Sequence, residues 1–428
     1  MINKIVYRFL NGNENCIKRD CFVWNTIAGG VNAAEAVVLM MVITRTNGVD
    51  AAGILSIAFA LGNLLMTIGK FGVRNYQVTD VNNEYSFNTY HTMRIYTVLL
   101  MAAIAACYVT IKAMQGGYSV EKSAVVLAIC LIYVVESYED VYLGHLQLNG
   151  RLDVASKIFI IRWILLMFVF CVLAVFSRYL LLSVVVSLII SVLCEIYLLR
   201  LCVINYQFGQ IRIDNKYLNH LIKQSFALFI SAFLTYYVTN APKYAIDSYL
   251  SEDIQAYYGY ISMPVFVVEL LNCFLYQPQM VRLADEWNQK SYDSFNRKVA
   301  KQYAIIFGLT LLCVAGAYLC GIPVLSVIYG VSLNQYKVEL IILMISGGAL
   351  AYVGYTSVLL TIMRKQTILL CNLIIITVAA FAGFGRAVKV SGMRGAAIYY
   401  LILMCVLAIL NFCCTIAVEN KCKKEQIS

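Results

Sequence analysis

Acidic side chains at helical spacing mark the stretch 136–140. Glu136, Glu139 and Asp140 are three or four residues apart, so on a helix their carboxylates share one face. Arg162 lies in the next apolar stretch, at the depth of Glu139 and Asp140 when counted from the end that both stretches share. Such groups either join two helices as ion pairs or exchange protons. Glu136 is the candidate for proton exchange, because apolar surroundings and two neighbouring carboxylates favour its protonated form.

Glu35 and Lys243 form a second candidate pair, each inside a long apolar stretch. A lysine in such surroundings pairs with a carboxylate, loses its proton or receives an anion. Lys243 follows Asn240 and Pro242, and a proline within a helix leaves a backbone carbonyl free to line a cavity. Lys243 is therefore either a cavity residue that attracts an anion or the partner of Glu35 or Asp247 in a structural ion pair.

Two arginines, Arg74 and Arg282, close long apolar stretches at corresponding places in the two halves of the chain. Arginine at such an end anchors a helix at the cytoplasmic face of a membrane. The alternative is that both bind a phosphate, since the guanidinium group matches its geometry.

The composition excludes a water-soluble globular protein. Of the 428 residues, 61% are hydrophobic and only 13% are charged, against about 25% charged in an ordinary soluble domain. The net charge of +10 does not form a basic patch in a soluble segment, so no nucleic-acid partner is predicted. The chain shows no enzyme motif, and its cysteines and three histidines lack metal-site spacing. No catalytic residue, metal site or cofactor is predicted.

The fold class that this composition predicts is an all-α polytopic membrane protein, with the lipid bilayer as its solvent. About 20 apolar residues cross the hydrocarbon core as a helix. Stretches of that length occur twelve times, at 22–44, 51–69, 93–113, 124–145, 157–177, 179–203, 220–245, 254–276, 303–321, 337–361, 367–383 and 395–417.

The distribution of basic residues predicts that both termini are cytoplasmic. With that orientation, 23 of the 33 lysines and arginines fall in cytoplasmic segments and eight in outer loops. The predicted organisation is an N-terminal arm (1–21), a six-helix lobe (22–203), a cytoplasmic linker (204–219), a second six-helix lobe (220–417) and a tail (418–428). Arg386, Lys389 and Arg394 fall in an outer loop against this bias, which makes the last two spans the weakest assignment.

The two halves of the chain repeat one plan at an offset of about 204 residues. GKFGVRNYQVTD ends the second span, and LYQPQMVRLADE ends the eighth; a polar stretch follows each. Six helices per half give both halves the same orientation, which is a parallel repeat about an axis along the membrane normal. Two such lobes predict a central cleft of the kind that alternating-access transporters use.

Three stretches resemble the Wzx-type flippases of bacterial polysaccharide biosynthesis, which belong to the multidrug/oligosaccharidyl-lipid/polysaccharide exporter superfamily. They are FGVRNYQVTDVNNEYSF (71–87), ESYEDVYLGHLQLNGRLDVASK (136–157) and TNAPKYAIDSYLSEDIQAYYGYISMPVFVVELL (239–271). The resemblance covers essentially the whole chain and implies twelve helices in two lobes, as in MATE-type transporters.

This resemblance implies a substrate and a mechanism. The substrate would be an undecaprenyl-diphosphate-linked oligosaccharide, carried from the cytoplasmic to the outer leaflet of the bacterial cytoplasmic membrane. Transport would be coupled to H⁺ or Na⁺, with other polysaccharide assembly proteins as partners. Basic cavity residues contact substrate in this family, which points to Lys243 in APKYAID and Arg74 in VRNYQ.

Two alternatives stay open at this stage. A cation-coupled drug or metabolite antiporter of the same superfamily would be favoured by a small acidic cleft around Glu35 and Glu136. A membrane polysaccharide polymerase would act on the same lipid-linked substrates, but it needs a sizeable outer loop, and the predicted outer loops are short.

Overall fold

The computed structural model describes residues 2–12, 16–80, 84–206, 208, 210–276 and 279–427. Helices account for nearly all of these residues, and no strand occurs among them. The helices are α1 Ile2–Asn11, α2 Ile17–Asn47, α3 Val49–Lys70, α4 Val73–Thr79, α5 Phe87–Met114, α6 Val120–Leu148, α7 Leu152–Ser177, α8 Leu180–Asn205, α9 Leu218–Tyr249, α10 Glu252–Ser262, α11 Val265–Tyr276, α12 Met280–Asn288, α13 Tyr292–Gly316, α14 Ile322–Tyr329, α15 Lys337–Ile362 and α16 Gln366–Ile427.

Membrane-spanning helices agree in number with the predicted twelve. Ten helical segments of the described chain are long and apolar enough to cross a bilayer. One of them, α16, contains two spans, because Ser391 and Gly392 break its helical conformation. The 29 residues of α6 are also long enough, although the carboxylates of 136–140 add charge to that helix. The prediction of an all-α polytopic membrane protein is therefore confirmed.

Several predicted boundaries were wrong. The predicted outer loop at 384–394 is helical up to Val390, and the break lies at Ser391 and at Gly392, whose φ is 57°. Pro264 divides the predicted eighth span into α10 and α11. A π-helical turn at Ala317–Gly321 lets the ninth span continue through α14, where Pro323 lacks the N–H of a regular helix. Hydropathy alone places none of these breaks.

The chain divides into two compact units, Met1–Tyr236 and Tyr237–Ser428. The division lies inside α9, because the first half of that helix packs on the first unit. The ring of Phe229 stacks on Phe71 at a centroid distance of 4.3 Å, and Leu221 is fully buried in the same core. The arm, two lobes, linker at 204–219 and tail stay a prediction.

A short connecting helix, α4, positions Arg74 in the first unit. Phe71 and Gly72 both have left-handed φ angles, 47° and 68°, which end α3 and turn the chain. Gln77 is buried and donates from Nε2 to the carbonyl oxygen of Val141 at 3.0 Å, so α4 is fastened to α6. The corresponding helix of the second unit is α12, which carries Arg282.

Polar contacts fix the segment between α8 and α9 to the start of α5. Asp214 accepts hydrogen bonds from the backbone N–H of Lys216 and from the hydroxyls of Thr89 and Ser86. These donors hold the pKa of Asp214 below its ordinary value. The segment therefore has a defined path along α5.

Close helix packing in the second unit depends on glycine. A methyl group on Gly347 of α15 would lie 2.6 Å from the carbonyl oxygen of Val265 in α11, which is backbone and cannot move aside cheaply. We expect Gly347→Ala to destabilise the protein by about 1–3 kcal/mol through overpacking. Gly308→Ala is the matched control, because nothing lies within 4 Å of the added methyl. Thermal unfolding in detergent checks this, and equal melting temperatures would contradict it.

Candidate functional site

Arg162 is the centre of a buried charge cluster in the first unit. It lies ten residues into α7, and its side chain is completely buried. Its Nε is 2.6 Å from Glu139 Oε2 of α6 and 3.6 Å from Glu195 Oε2 of α8, and its Nη2 is 3.7 Å from Glu136 Oε2. One guanidinium therefore faces three carboxylates from two helices. The ring of Trp163 lies 5.1 Å from the guanidinium and covers it with a π face.

Glu136 is shared between two cations. Lys70, the last residue of α3, places Nζ 2.8 Å from Glu136 Oε1, while Arg162 approaches the other oxygen. Trp163 Nε1 also donates to that second oxygen at 3.2 Å. From the sequence, the predicted neighbours of Glu136 are two carboxylates; in the structure, Lys70 and Arg162 also lie beside it. Glu136 is thus the link between α3, α6 and α7.

Asp140 forms the second part of the cluster, one helical turn further along α6. Its two oxygens accept from Arg94 Nη2 at 2.8 Å and from Arg74 Nη1 at 3.0 Å. Arg94 is fully buried, and its Nη1 also donates to the carbonyl of Gly69 at 2.6 Å, which satisfies an unpaired carbonyl at the end of α3. Arg74 additionally binds Gln147 Oε1 at 2.9 Å.

Charges within this cluster balance. The cations are Lys70, Arg74, Arg94 and Arg162, and the carboxylates in ion-pair contact with them are Glu136, Glu139, Asp140 and Glu195. A buried ion costs several kcal/mol to desolvate, so a balanced set is the arrangement that an apolar environment tolerates.

Glu35 is a fifth carboxylate beside this balanced set. It lies on α2, and Tyr133 of α6 donates its hydroxyl to Glu35 Oε1 at 3.2 Å. Its other oxygen is buried without a hydrogen-bond partner, and no cation of the described chain lies within 4 Å of it. Asn63 donates to the same tyrosine hydroxyl at 3.3 Å and completes a short polar chain. Glu35 is therefore the carboxylate that can accept a proton or a cation.

Lys243 lies in a different setting, in the second unit. It lines a small cavity of about 10 Å³ together with uncharged polar side chains of α9, α10 and α16 and several apolar ones; the polar ones are Thr239, Asn240, Tyr258, Ser262 and Tyr400. The hydroxyl of Tyr400 is buried without a hydrogen-bond partner. No carboxylate of the described residues forms an ion pair with Lys243. The cavity has room for about one water molecule.

The remaining predicted residues occupy separate places. Asp247 lies one turn beyond Lys243 on α9 and is half-buried, and Arg282 on α12 is exposed. A pairing of Glu35 with Lys243 would join the two units and stays a prediction. Across the described chain, no group of three or more histidine, cysteine or acidic side chains is placed to hold a metal ion.

The structure brings together most of the charged residues that the sequence singled out. Glu136, Glu139, Asp140, Arg162 and Arg74 belong to one cluster. The sequence did not place three members, Lys70, Arg94 and Glu195, in this cluster. The first two were counted as cytoplasmic loop charges, because they lie at span ends. The signal that could have identified Lys70 and Arg94 as partners of the acidic stretch of α6 was their position at the ends of α3 and α5.

Comparisons with known proteins place the fold. No family model and no curated protein sequence matches the chain. Among solved structures, the inward-facing conformation of a multidrug resistance MATE family transporter of the MOP superfamily superposes with a TM-score of 0.72 at 12% identity, covering 92% of this chain and 96% of that one. A mutant of the Vibrio cholerae MATE transporter VcmN gives 0.62 at 12%, covering 96% and 98%.

A third structure adds information on function within this fold. A MOP superfamily transporter from Pyrococcus furiosus gives a TM-score of 0.56 at 13% identity, covering 97% of this chain and 98% of that one. That transporter has a binding pocket of reverse polarity, which suggests a different function for it. Identities of 12–13% establish a shared fold, so the chain has the fold of MATE transporters.

Removal of Arg162 should destabilise the first unit strongly. We expect Arg162→Met to cost about 3–5 kcal/mol, because it leaves Glu139 and Glu195 buried without their cation. Arg162→Met combined with Glu139→Gln should recover part of that loss. The surface control is Arg19→Met, whose ion pair with Asp20 is largely exposed and contributes about 0–1 kcal/mol. The measurement is the melting temperature of each variant in the same detergent. Similar values for the Arg162 and Arg19 variants would refute the role of Arg162 as the centre of the cluster.

Proposed function

We propose that this chain translocates an undecaprenyl-diphosphate-linked oligosaccharide from the cytoplasmic to the outer leaflet of the bacterial cytoplasmic membrane. Translocation proceeds by alternating access and is driven by an H⁺ or Na⁺ gradient. The observation that carries the proposal is Lys243, a cation inside a membrane span whose cavity is otherwise lined by uncharged side chains, within the stretch 239–271 that resembles Wzx-type flippases. The MATE-type fold supports a transporter.

The surroundings of Lys243 suit a saccharide diphosphate. A charged amine inside a membrane span is expensive and marks a functional position. Hydroxyl and amide groups beside it can donate to phosphate oxygens and exchange hydrogen bonds with sugar hydroxyls. A diphosphate is larger than the cavity of about 10 Å³, so substrate binding requires the cavity to widen. That requirement fits a transporter that changes conformation in each cycle.

Two arginines, Arg74 in the first unit and Arg282 in the second, are further proposed phosphate contacts at the cytoplasmic side. Arg282 is exposed on α12 and free to meet a phosphate. Arg74 is partly exposed and bound to Asp140 and Gln147. Its proposed contribution is a positive charge at the surface, while the same contacts hold α4 in place.

The coupling ion is proposed to bind at Glu35. A proton or Na⁺ at its unpartnered oxygen would neutralise the one carboxylate that the cluster leaves unbalanced. Tyr133 of α6 donates a hydrogen bond to Glu35. A change in the charge of Glu35 therefore affects α6, the helix that carries Glu136, Glu139 and Asp140.

A second candidate function is a cation-coupled drug antiporter, which the structural neighbour described as a multidrug resistance transporter favours. Such a protein requires an acidic site open to a cationic drug. In this chain Glu136 is engaged by Lys70 and Arg162, and Lys243 repels cations. The fold fits either function, and we propose the flippase on the resemblance of residues 239–271 and on the setting of Lys243.

Substitution of Lys243 tests the substrate site. We expect Lys243→Ala to lower export of lipid-linked oligosaccharide about tenfold or more, which corresponds to the loss of about 1.4 kcal/mol of interaction. Lys243→Arg keeps the charge and should retain most activity. The assay measures lipid-linked oligosaccharide accumulating at the cytoplasmic leaflet of cells that carry a single flippase.

Lys301→Ala serves as the control, since Lys301 is an exposed lysine of the same unit. Equal export by Lys243→Ala and Lys243→Arg would remove Lys243 from the site. Normal surface polysaccharide in a strain deleted for this chain and for any other flippase would argue against the function itself.

Substitution of Glu35 tests the coupling. We expect Glu35→Gln to abolish the acceleration of transport by an imposed H⁺ or Na⁺ gradient while the protein stays folded, because Glu35 forms no ion pair within the described residues of the first unit. Glu35→Asp should retain part of the acceleration. Glu136→Gln is the matched comparison, and its main effect should be a lower melting temperature, because it breaks contacts with Lys70 and Arg162. Undiminished gradient dependence in Glu35→Gln would contradict the assignment.

A further inference from the structure

A groove runs along α8 in the first unit, and one member of the charge cluster, Glu195, lies in its wall. Its volume is about 830 Å³, within the range of small-molecule sites. Its walls are aliphatic side chains of α5, α6 and α8, with Tyr138 and Tyr142 on one side. The hydroxyls of both tyrosines are bound to each other and to His91 Nε2, at 3.0–3.1 Å, so they leave the wall essentially apolar.

The length of this groove matches one leaflet of a bilayer. It is lined from Val192 to Ile204 of α8, which is about 18 Å at a rise of 1.5 Å per residue. One leaflet of the hydrocarbon core is about 15 Å thick. The groove therefore reaches from the middle of the membrane to the end of α8, which the charge bias predicts to be cytoplasmic.

Charge is distributed unevenly along the groove. Arg200 lines it five residues before the end of α8, is exposed, and has no carboxylate within 4 Å among the described residues. Glu195 lies about 7.5 Å deeper and is buried, with one oxygen 3.6 Å from Arg162. An anionic group is thus attracted at the Arg200 end and repelled from the deeper part.

The cytoplasmic end of the groove has a fixed border. Ile211 lines it, and the next residue, Arg212, donates its backbone N–H to Asn88 Oδ1 at 3.0 Å. Asn88 in turn donates to the carbonyl of Gln210 at 3.0 Å. These hydrogen bonds hold the backbone on both sides of Ile211. The positions of this border and of Arg212 beside it are therefore fixed by the fold.

From these features we infer that the groove binds one acidic phospholipid of the cytoplasmic leaflet, with its phosphate at Arg200 and an acyl chain along α8 toward Val192. A single guanidinium at headgroup depth pairs with the phosphate and favours a headgroup of net negative charge over a zwitterionic one, whose ammonium it repels. The aliphatic walls cover the chain, and Glu195 keeps the headgroup at the outer end. This lipid is separate from the transported substrate, and the residues that line its groove belong to the first unit.

Native mass spectrometry of the purified full-length protein tests the site, with phosphatidylglycerol and phosphatidylcholine of identical chains in the same micelles. The wild type should retain one phosphatidylglycerol at least tenfold more tightly than phosphatidylcholine. Arg200→Gln should remove that preference. Ile196→Trp should also release the lipid, because Ile196 is a half-exposed wall residue whose enlargement fills the groove without disturbing the core. Lys223→Gln removes an exposed cation outside the groove and should change nothing.

Four results would overturn the inference. Equal retention of the two lipids by the wild type, or identical behaviour of Arg200→Gln and Lys223→Gln, would exclude headgroup recognition at Arg200. Displacement by glycerol 3-phosphate would show an anion site without a chain groove. Displacement by undecaprenyl phosphate at a lower concentration than phosphatidylglycerol would assign the groove to the isoprenoid carrier.

Discussion

The contact between the guanidinium of Arg162 and three carboxylates is the interaction on which the first unit depends. A fully buried arginine is tolerated only with close anionic partners, since desolvation of each ion costs several kcal/mol. Those partners come from α6 and α8, so the need to satisfy one cation fixes how α7 packs against both. Glu136 also pairs with Lys70, and this ion pair holds the end of α3 against α6. Asp140 pairs with Arg94 and holds α5 against α6 in the same way.

This constraint also explains why the two units differ in chemistry although the sequence repeats one plan. The four cations and four carboxylates of the cluster lie in the first unit, and Glu35 beside them is the carboxylate that we propose exchanges an ion. In the described part of the second unit, Lys243 has only uncharged polar groups and apolar side chains around it. Under the proposed function, the first unit senses the driving ion, and the second unit supplies the positive charge for an anionic substrate.

How far the sequence predicts this arrangement depends on the range of the interaction. Hydropathy finds the spans, because about 20 apolar residues are needed whatever the tertiary structure. Helical spacing groups Glu136, Glu139 and Asp140, because that relation is local. It does not find Lys70 or Arg94, which reach the cluster only once α3 and α5 pack on α6. The same limit explains why the break at Gly392 and the π turn at Ala317–Gly321 were missed.

Reconstitution tests the central claim most directly. Purified protein is placed in liposomes that contain undecaprenyl-diphosphate-linked oligosaccharide in the leaflet equivalent to the cytoplasmic one, and a lectin outside reports when sugars reach the opposite leaflet. The account predicts that sugars become accessible with time, faster under an imposed H⁺ or Na⁺ gradient, and only in liposomes that contain the protein. No transfer of the lipid-linked sugar, together with gradient-driven movement of a cationic dye in the same liposomes, would contradict it and identify a drug antiporter.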